Sequence, residues 1–405
     1  MIAEPQLSTE QREIVGMVRT FVEKEIMPVQ HDLEHDDVYP EDIVKQMKEL
    51  GLFGLAIPEE FGGGGVNFKT YALCIEEICR GWMSIAGVIN THFITAYMIG
   101  EFGTDEQKQR FLKPLWTGEE VWCQLFSEPG AGSDLAAVST RAVRDGDSWV
   151  VNGQKVWTSA AHKARFAILL VRTDPNVSKH AGLSYFVCDM TDPGVDVRPL
   201  RQLTGEAEFN EVFLTDVRIP DFYRLGEEGQ GWKVATATLM NERVAIGGAA
   251  APREGGMIGV VAKTWRDRPE LRTAELHDRL MMLWVEAEVA RLTGQRLRQK
   301  LALGQPGPEG STMKLTFARL AQQLSGLEVE LLGEDGLRYS DWTMVRPDIV
   351  EFTGRDAGYR YLRAKGNSIE GGTSEILRNI VAERVLGLPA EPRTDKDIAW
   401  KDLPK

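Results

Sequence analysis

Cysteine is scarce. The four present, Cys74, Cys79, Cys123 and Cys188, show no metal-ligand or redox spacing, and they read as buried free thiols of a reducing compartment. Histidine is nearly as sparse: six, at positions 31, 35, 92, 162, 180 and 277, none beside a Cys or Ser at motif spacing. A zinc centre or a Ser/His triad therefore has little support. Basic residues are also short, with 47 Lys and Arg against 60 Asp and Glu and a net charge of −13. This argues against nucleic acid as the main partner, because neutralising phosphates needs clustered cations. A polyanionic cofactor remains compatible, since only local charge matters there. No apolar run reaches the ~18 residues that mark a membrane helix. No secretory signal is visible either, because Met-Ile-Ala-Glu-Pro-Gln at the start has no basic stretch followed by an apolar one. The expectation is a cytoplasmic chain with no membrane span. What is present is ordinary for a globular protein, 43% hydrophobic and 26% charged residues. At 405 residues the chain exceeds one typical core, so two or three domains are expected.

Periodicity divides the chain into three blocks and a tail. Residues 1–121 read as helices. A capping box at Ser8-x-x-Gln11 precedes Ile14, Val15, Val18, Phe21, Val22 and Ile26 at helical spacing. Pro40 opens a second helix that Gly51 ends, and Thr104 caps another that reaches Trp116. Residues 122–231 switch to period two, with strands predicted at 148–152, 154–158, 166–172, 183–189, 195–200 and 210–217. Such spacing suggests a small antiparallel barrel or sandwich. Residues 232–389 return to four long helices, about 232–266, 274–303, 311–332 and 374–385, which make a bundle. Gly247-Gly248 and Gly255-Gly256 cost helix propensity in the first of these, so close packing or a kink is expected there. Residues 390–405 read as a loose, charged tail. The fold class is α+β: helical domain, middle β domain, helical bundle.

Two stretches carry the chemistry. The apolar run from Val121 to Phe126 stops at Ser127-Glu-Pro-Gly-Ala-Gly-Ser-Asp134. Pro129 fixes one φ, and Gly130 and Gly132 permit backbone conformations closed to other residues. Such a turn presents N–H groups and the Ser127 and Ser133 hydroxyls to an acceptor-rich or anionic ligand. Then comes Trp149-Val-Val-Asn-Gly-Gln-Lys-Val-Trp-Thr-Ser159, where Asn152-Gly153 between β-rich runs predicts a hairpin.

Together these stretches closely resemble the flavin-binding middle segment of the acyl-CoA dehydrogenase family, and the resemblance runs roughly from Leu7 to Pro389. It implies FAD as cofactor and an acyl-CoA thioester as substrate. A carboxylate would take the α-proton, flavin N5 the β-hydride, and an electron-transferring flavoprotein or similar acceptor the electrons, leaving a trans-2-enoyl-CoA. By motif match, Phe126 and Ser127 would approach the isoalloxazine edge, and Gly132 and Ser133 the pyrophosphate or substrate. Trp157 would pack on the ring with Ser159 near N5. Thr373, Ser374 and Glu375 would meet a phosphate or ribose at a helix start.

The base is the point of departure. Many members place it in Tyr-Glu-Gly-Thr, whereas this chain reads Ile369-Glu-Gly-Gly-Thr373, which puts Gly371 at that position and Glu370 one place early. A subset of the family carries its base before an Arg on the first bundle helix, and Leu239-Met-Asn-Glu242-Arg243 matches there. The expectation is Glu242 as base, Glu370 as a weaker alternative, and Arg243 beside the substrate. The Gly371 N–H would lie at the thioester oxygen, with space for a branched or bulky acyl group. Two segments that reach a neighbouring subunit's flavin also depart. Thr264 to Arg272 lacks Phe-Gly, leaving Arg266, Arg268 or Arg272 as candidates, and Leu332-Gly-Glu-Asp-Gly336 has acids where Gly is usual. The resemblance implies a homo- or hetero-oligomer, a dimer of dimers. The departures favour an α2β2 form with a paralogous subunit. The competing readings are a flavin oxidase or monooxygenase of the same fold, and a silent partner subunit.

Overall fold

The computed structural model describes residues 7–30, 33, 40–246, 253–302, 310–339, 342–344, 356–393, 395–396 and 398–403. Within helices, the side chains at 68–69, 72, 83–84, 86–88, 90–91, 93, 240–246 and 298–302 lie outside that description. The amino-terminal block holds α1 (Thr9–Phe21), α2 (Glu41–Glu49), α3 (Phe68–Gly81), α4 (Met83–Phe102) and α5 (Asp105–Trp116). The capping boxes form at Ser8/Gln11 and Thr104/Gln107, satisfying N–H groups that a helix start leaves orphaned. Gly51 takes φ +69° after α2, in the left-handed conformation that stops a helix. Val18, Val22, Ile26, Met47, Ile78 and Ile85 form one core.

The middle block is one eight-stranded sheet. Its strands are β1 (Trp122–Leu125), β2 (Arg141–Asp145), β3 (Ser148–Ser159), β4 (Phe166–Arg172), β5 (Leu183–Asp189), β6 (Val195–Leu200), β7 (Phe209–Pro220) and β8 (Arg224–Leu225). The order is β6-β7-β3-β2-β4-β5-β8, with β1 parallel to β4. The strand β4 is apolar from Phe166 to Val171 because both faces are covered, and ends in the buried Arg172. Alternate residues go to different cores: Phe166, Ile168 and Leu170 join Phe111, Phe126, Tyr185 and Val234. Ala167, Leu169 and Val171 join Trp149, Phe186 and Val212 on the other side.

The carboxyl-terminal block holds α6 (Gly231–Ile246), α7 (Met257–Asp267), α8 (Ala274–Ala302), α9 (Gly310–Leu332), α10 (Ala357–Arg363) and α11 (Ser374–Ile380). Helix α9 is central and packs against the other five. Among the described residues no helix is long and apolar enough to cross a membrane.

Four expectations need correction. Asn152-Gly153 is not a turn, because β3 runs straight through it and the β2–β3 hairpin turns at Gly146, φ +61°. Gly153 is required by crowding instead: a Cβ there would stand 2.4 Å from Thr140 Oγ1. Asn152 bridges a bulge, its amide and carbonyl pairing at 3.0 Å with the Asp216 carboxylate and N–H. The first bundle helix is two helices, since Glu254 and Gly256 take φ +59° and +73° just before α7. Gly247 and Gly248 themselves lie outside the described residues. The fourth predicted helix is α-helical only to Ile380 and continues as a π turn over Val381–Val385. Finally, the tail is not loose throughout: residues 398–403 lie against the sheet block, with Trp400 N–H donating to the Val177 carbonyl at 2.8 Å.

Candidate active site

The Ser127 turn is held from beneath by a buried ion pair. Lys155 is fully buried on β3, and its ammonium donates to Glu128 Oε1 at 2.9 Å, the Phe126 carbonyl at 3.0 Å and the Leu170 carbonyl at 2.7 Å. Glu128 accepts in addition from Ser139 N–H (2.7 Å), Ser139 Oγ (2.8 Å) and Thr140 N–H (2.9 Å). Burial alone would raise the Glu128 carboxyl, but the Lys155 charge and these donors outweigh it and hold the group below its ordinary range. Glu128 and Ala131 exchange backbone hydrogen bonds at 3.0 Å, closing the turn, and Val156 N–H reaches the Ser127 carbonyl at 2.9 Å. Neither residue of this pair was given a role from the sequence. The available signal was a lysine in phase with the inward-facing Trp149 and Val151 of β3.

Next to this anchor lie the residues that the sequence offers for the flavin. Phe126 is buried and meets Tyr185 edge-on at 5.8 Å. Ser127 is half-buried, and Gly132 and Ser133 are exposed. Gly130 and Gly132 do not use left-handed backbone, contrary to expectation; a Cβ on either would meet nothing of this chain within 4 Å. Their bareness leaves the backbone open to something outside the chain. Trp157 sits at a register shift of the β3–β7 pairing with φ +61° and is 56% exposed, its ring against Phe209 at 5.7 Å. A non-glycine held left-handed costs of order 1–3 kcal/mol and clusters at functional sites. Ser159 is exposed two residues on.

Helix α6 closes one side. Thr238 is wholly buried and pairs with Tyr185 Oη at 3.1 Å. Glu242 stands four residues further, on the same face of the helix and just over one turn, about 6 Å, along it. The side chains of Glu242 and Arg243 lie outside the described residues.

On the bundle side, Lys314 donates to the carbonyls of Asn367 (2.8 Å) and Gly372 (2.7 Å), fixing the loop between them. Gly371 and Gly372 take φ +61° and +99°, which favours glycine. The Thr373 hydroxyl caps α11 by accepting from Ile376 N–H at 3.2 Å. Ser374 is half-buried, and Glu375 is exposed and paired with Arg378 at 3.2 Å. Glu370 is clamped by buried Arg363 through two bonds, 3.1 and 3.0 Å. Arg363 also lies 3.6 Å from Glu208, next to Phe209 and hence to Trp157. The three arginines offered for a neighbouring flavin have intrachain contacts: Arg266 with Glu254, Arg268 with Glu270, and Arg272 with the carbonyls of Trp265 and Arg266.

Glu208 was also missed from the sequence. Burial pushes its carboxyl up to about 7; Arg363 opposes that, while Glu370 and Glu206 add to it. The folded state keeps this proton where the unfolded chain, at the ordinary 4.5, has released it. Its contribution is therefore full below about pH 4.5 and is lost as pH rises through about 7, a loss of about 3 kcal/mol. Chemical denaturation from pH 5 to 8 should show Glu208→Gln losing less stability than the unmodified chain by that order. Equal slopes would contradict it.

Three acyl-CoA dehydrogenase family models match in succession: the N-terminal domain at residues 8–119, the middle domain at 123–217 and the C-terminal domain at 229–386. The chain belongs to the acyl-CoA dehydrogenase family. Acyl-CoA dehydrogenase FadE34 of Mycobacterium tuberculosis is 44% identical over 85% of this chain, which spans only 45% of that longer relative. Acyl-CoA dehydrogenase IpdE1 of the same organism is 39% identical over 86% of this chain and 88% of its own. The ChsE4-ChsE5 complex from Mycobacterium tuberculosis superposes with a TM-score of 0.74 at 28% identity, covering 96% of this chain and 100% of that one. This acyl-CoA dehydrogenase is thus a flavoprotein oxidoreductase of acyl-CoA thioesters, with FAD as cofactor. The residues present fit the flavin: a bare, pinned turn at 130–132, an exposed Trp157 held left-handed beside it, and donors on Ser127 and Ser133.

Proposed function

We propose that the enzyme performs α,β-dehydrogenation of an acyl-CoA to the trans-2-enoyl-CoA, with Glu242 removing the α-proton. The observation that carries this is the register of α6. Thr238 is locked to Tyr185, whose ring meets Phe126, and position 242 stands one turn further along the same face of α6. A rigid helix is a suitable mount for a proton acceptor. Glu370, the alternative, already gives both oxygens to Arg363. Phe126, Ser127, Gly132, Ser133, Trp157 and Ser159 would hold FAD, with Thr373, Ser374 and Glu375 toward its phosphate or ribose, and the flavin would supply the acceptor for the β-hydride. The Gly371 N–H donates to the thioester oxygen, where charge develops as the α-proton leaves. Arg243 and Ser133 orient the substrate.

Electrons pass to an electron-transferring flavoprotein. The four cysteines are all free, which fits a reducing, cytoplasmic setting. Helix α8 exposes Met282, Val285, Val289 and Leu292 at helical spacing, between 49% and 67% each, an apolar stripe that suits a second subunit. ChsE4-ChsE5 is a complex of two different chains, which favours α2β2 over a homotetramer. Anaerobic addition of acyl-CoAs to the purified flavoprotein should bleach the flavin, most with branched or bulky acyl groups. Absence of bleaching by any acyl-CoA, or rapid peroxide release in air, would overturn the proposal.

A further inference from the structure

The family's C-terminal domain ends at residue 386, yet the chain makes ordered contacts well beyond it. Trp400 N–H donates to the Val177 carbonyl at 2.8 Å and Lys401 N–H to the Pro175 carbonyl at 3.0 Å, while Ala399 bridges to Ser178. The Trp400 ring lies over the Arg172 guanidinium at 4.6 Å, and its Nε1–H donates to the Ala137 carbonyl at 3.3 Å. Asp395 pairs with Lys179 at 2.5 Å, and the same ammonium pairs with Asp134 at 2.7 Å.

These partners are one structural unit. Arg172 is 2% exposed at the end of β4. It donates to the carbonyls of Ala136 (2.6 Å), Val138 (3.3 Å) and Lys179 (2.7 Å). It thereby ties the far side of the Ser133 turn to the 173–182 loop. Its guanidinium is lowered to about 10 by burial, with Glu128, Asp134 and Asp174 opposing. The turn is thus pinned twice: at Glu128 by Lys155, which is part of the family's middle domain, and beyond Asp134 by Arg172 and Lys179. Only the second anchor carries a cover from outside the family domains.

We propose that residues 395–396 and 398–403 belong to a strap in cis that positions the Ser133–Asp134 side of the turn for acyl-CoA, with Trp400 as the positioning residue. This rests on Ser133 facing the substrate. The strap touches no reacting atom, so removing it should weaken substrate binding while leaving the chemical step intact.

Steady-state kinetics of the FAD-loaded enzyme tests it with Trp400→Ala, Trp400→Phe, Ser133→Ala and a chain ending at Pro392. Trp400→Ala and the truncation should raise KM for acyl-CoA about tenfold, the scale of one or two hydrogen bonds lost from substrate binding, with kcat within about twofold and FAD content unchanged. Trp400→Phe, which keeps a ring over Arg172, should restore most of the KM. Unchanged KM in both Trp400→Ala and the truncation overturns the strap. So does loss of FAD or of the folded core, which would make the segment a general stabiliser. If Ser133→Ala raises KM and Trp400→Ala does not, the strap fails and the substrate-facing turn stands. If Ser133→Ala leaves KM unchanged, that reading of the turn fails instead.

Discussion

Lys155→Met should lower the unfolding free energy by about 3–5 kcal/mol and strip most of the FAD. The magnitude is that of a buried ion pair broken on one side, which leaves a charge without its partner in a dry interior. Here the orphan is Glu128, 6% exposed and still facing Ser139 and Thr140. Two backbone carbonyls, of Phe126 and Leu170, lose their donor as well. The Phe126 carbonyl belongs to the peptide that leads into Ser127, so the turn shifts even where the fold survives. Replacing both partners by apolar residues of similar volume is commonly near neutral. Lys155→Met with Glu128→Leu should therefore recover much of the stability but not the FAD, because the turn is no longer pulled onto β3. Urea unfolding with flavin content measured on the same samples separates the two effects. A single variant within about 1 kcal/mol of the unmodified chain and fully loaded with FAD would show that the pair does not hold the site.

Glu242→Gln should lower kcat by about 10²–10⁴, the range typical of a positioned acid or base. FAD content and stability should stay near those of the unmodified enzyme. Glutamine keeps the shape of the side chain and removes only its ability to take a proton. Glu370→Gln should cost less than tenfold in kcat, since that carboxylate serves Arg363 rather than the substrate. A reversal, with Glu370→Gln inactive and Glu242→Gln active, would move the base to the loop before Gly371.

Much of this architecture is legible in local chemistry. The Ser8 and Thr104 capping boxes, the Gly51 stop and the strands over 166–172 and 183–189 follow from periodicity and end residues, because nearby packing agrees with them. What fails depends on contacts distant in sequence. Asn152-Gly153 carries hairpin chemistry, but Thr140 and Asp216 occupy its glycine space and its amide. The strands β1 and β2 are too short, and β8 shorter still, to show a period. For the site, the turn, Trp157 and the Gly371 loop could be named from motif letters. The groups that hold them could not: Lys155, Arg172, Arg363 and Glu208 are charged residues whose burial is decided by elements tens of residues away. The docking of Trp400 was hidden for the same reason. A charged, proline-bearing tail looks solvated until Arg172 and the 173–182 loop are seen beneath it.

Proton abstraction can be read apart from electron transfer. An acyl-CoA analogue with sulfur in place of Cβ has an acidic α-proton and no β-hydride to give. Incubated with the FAD-loaded enzyme in heavy water, it should take deuterium at Cα with the unmodified protein and with Glu370→Gln, and not with Glu242→Gln. Exchange that persists in Glu242→Gln and disappears in Glu370→Gln would contradict the account.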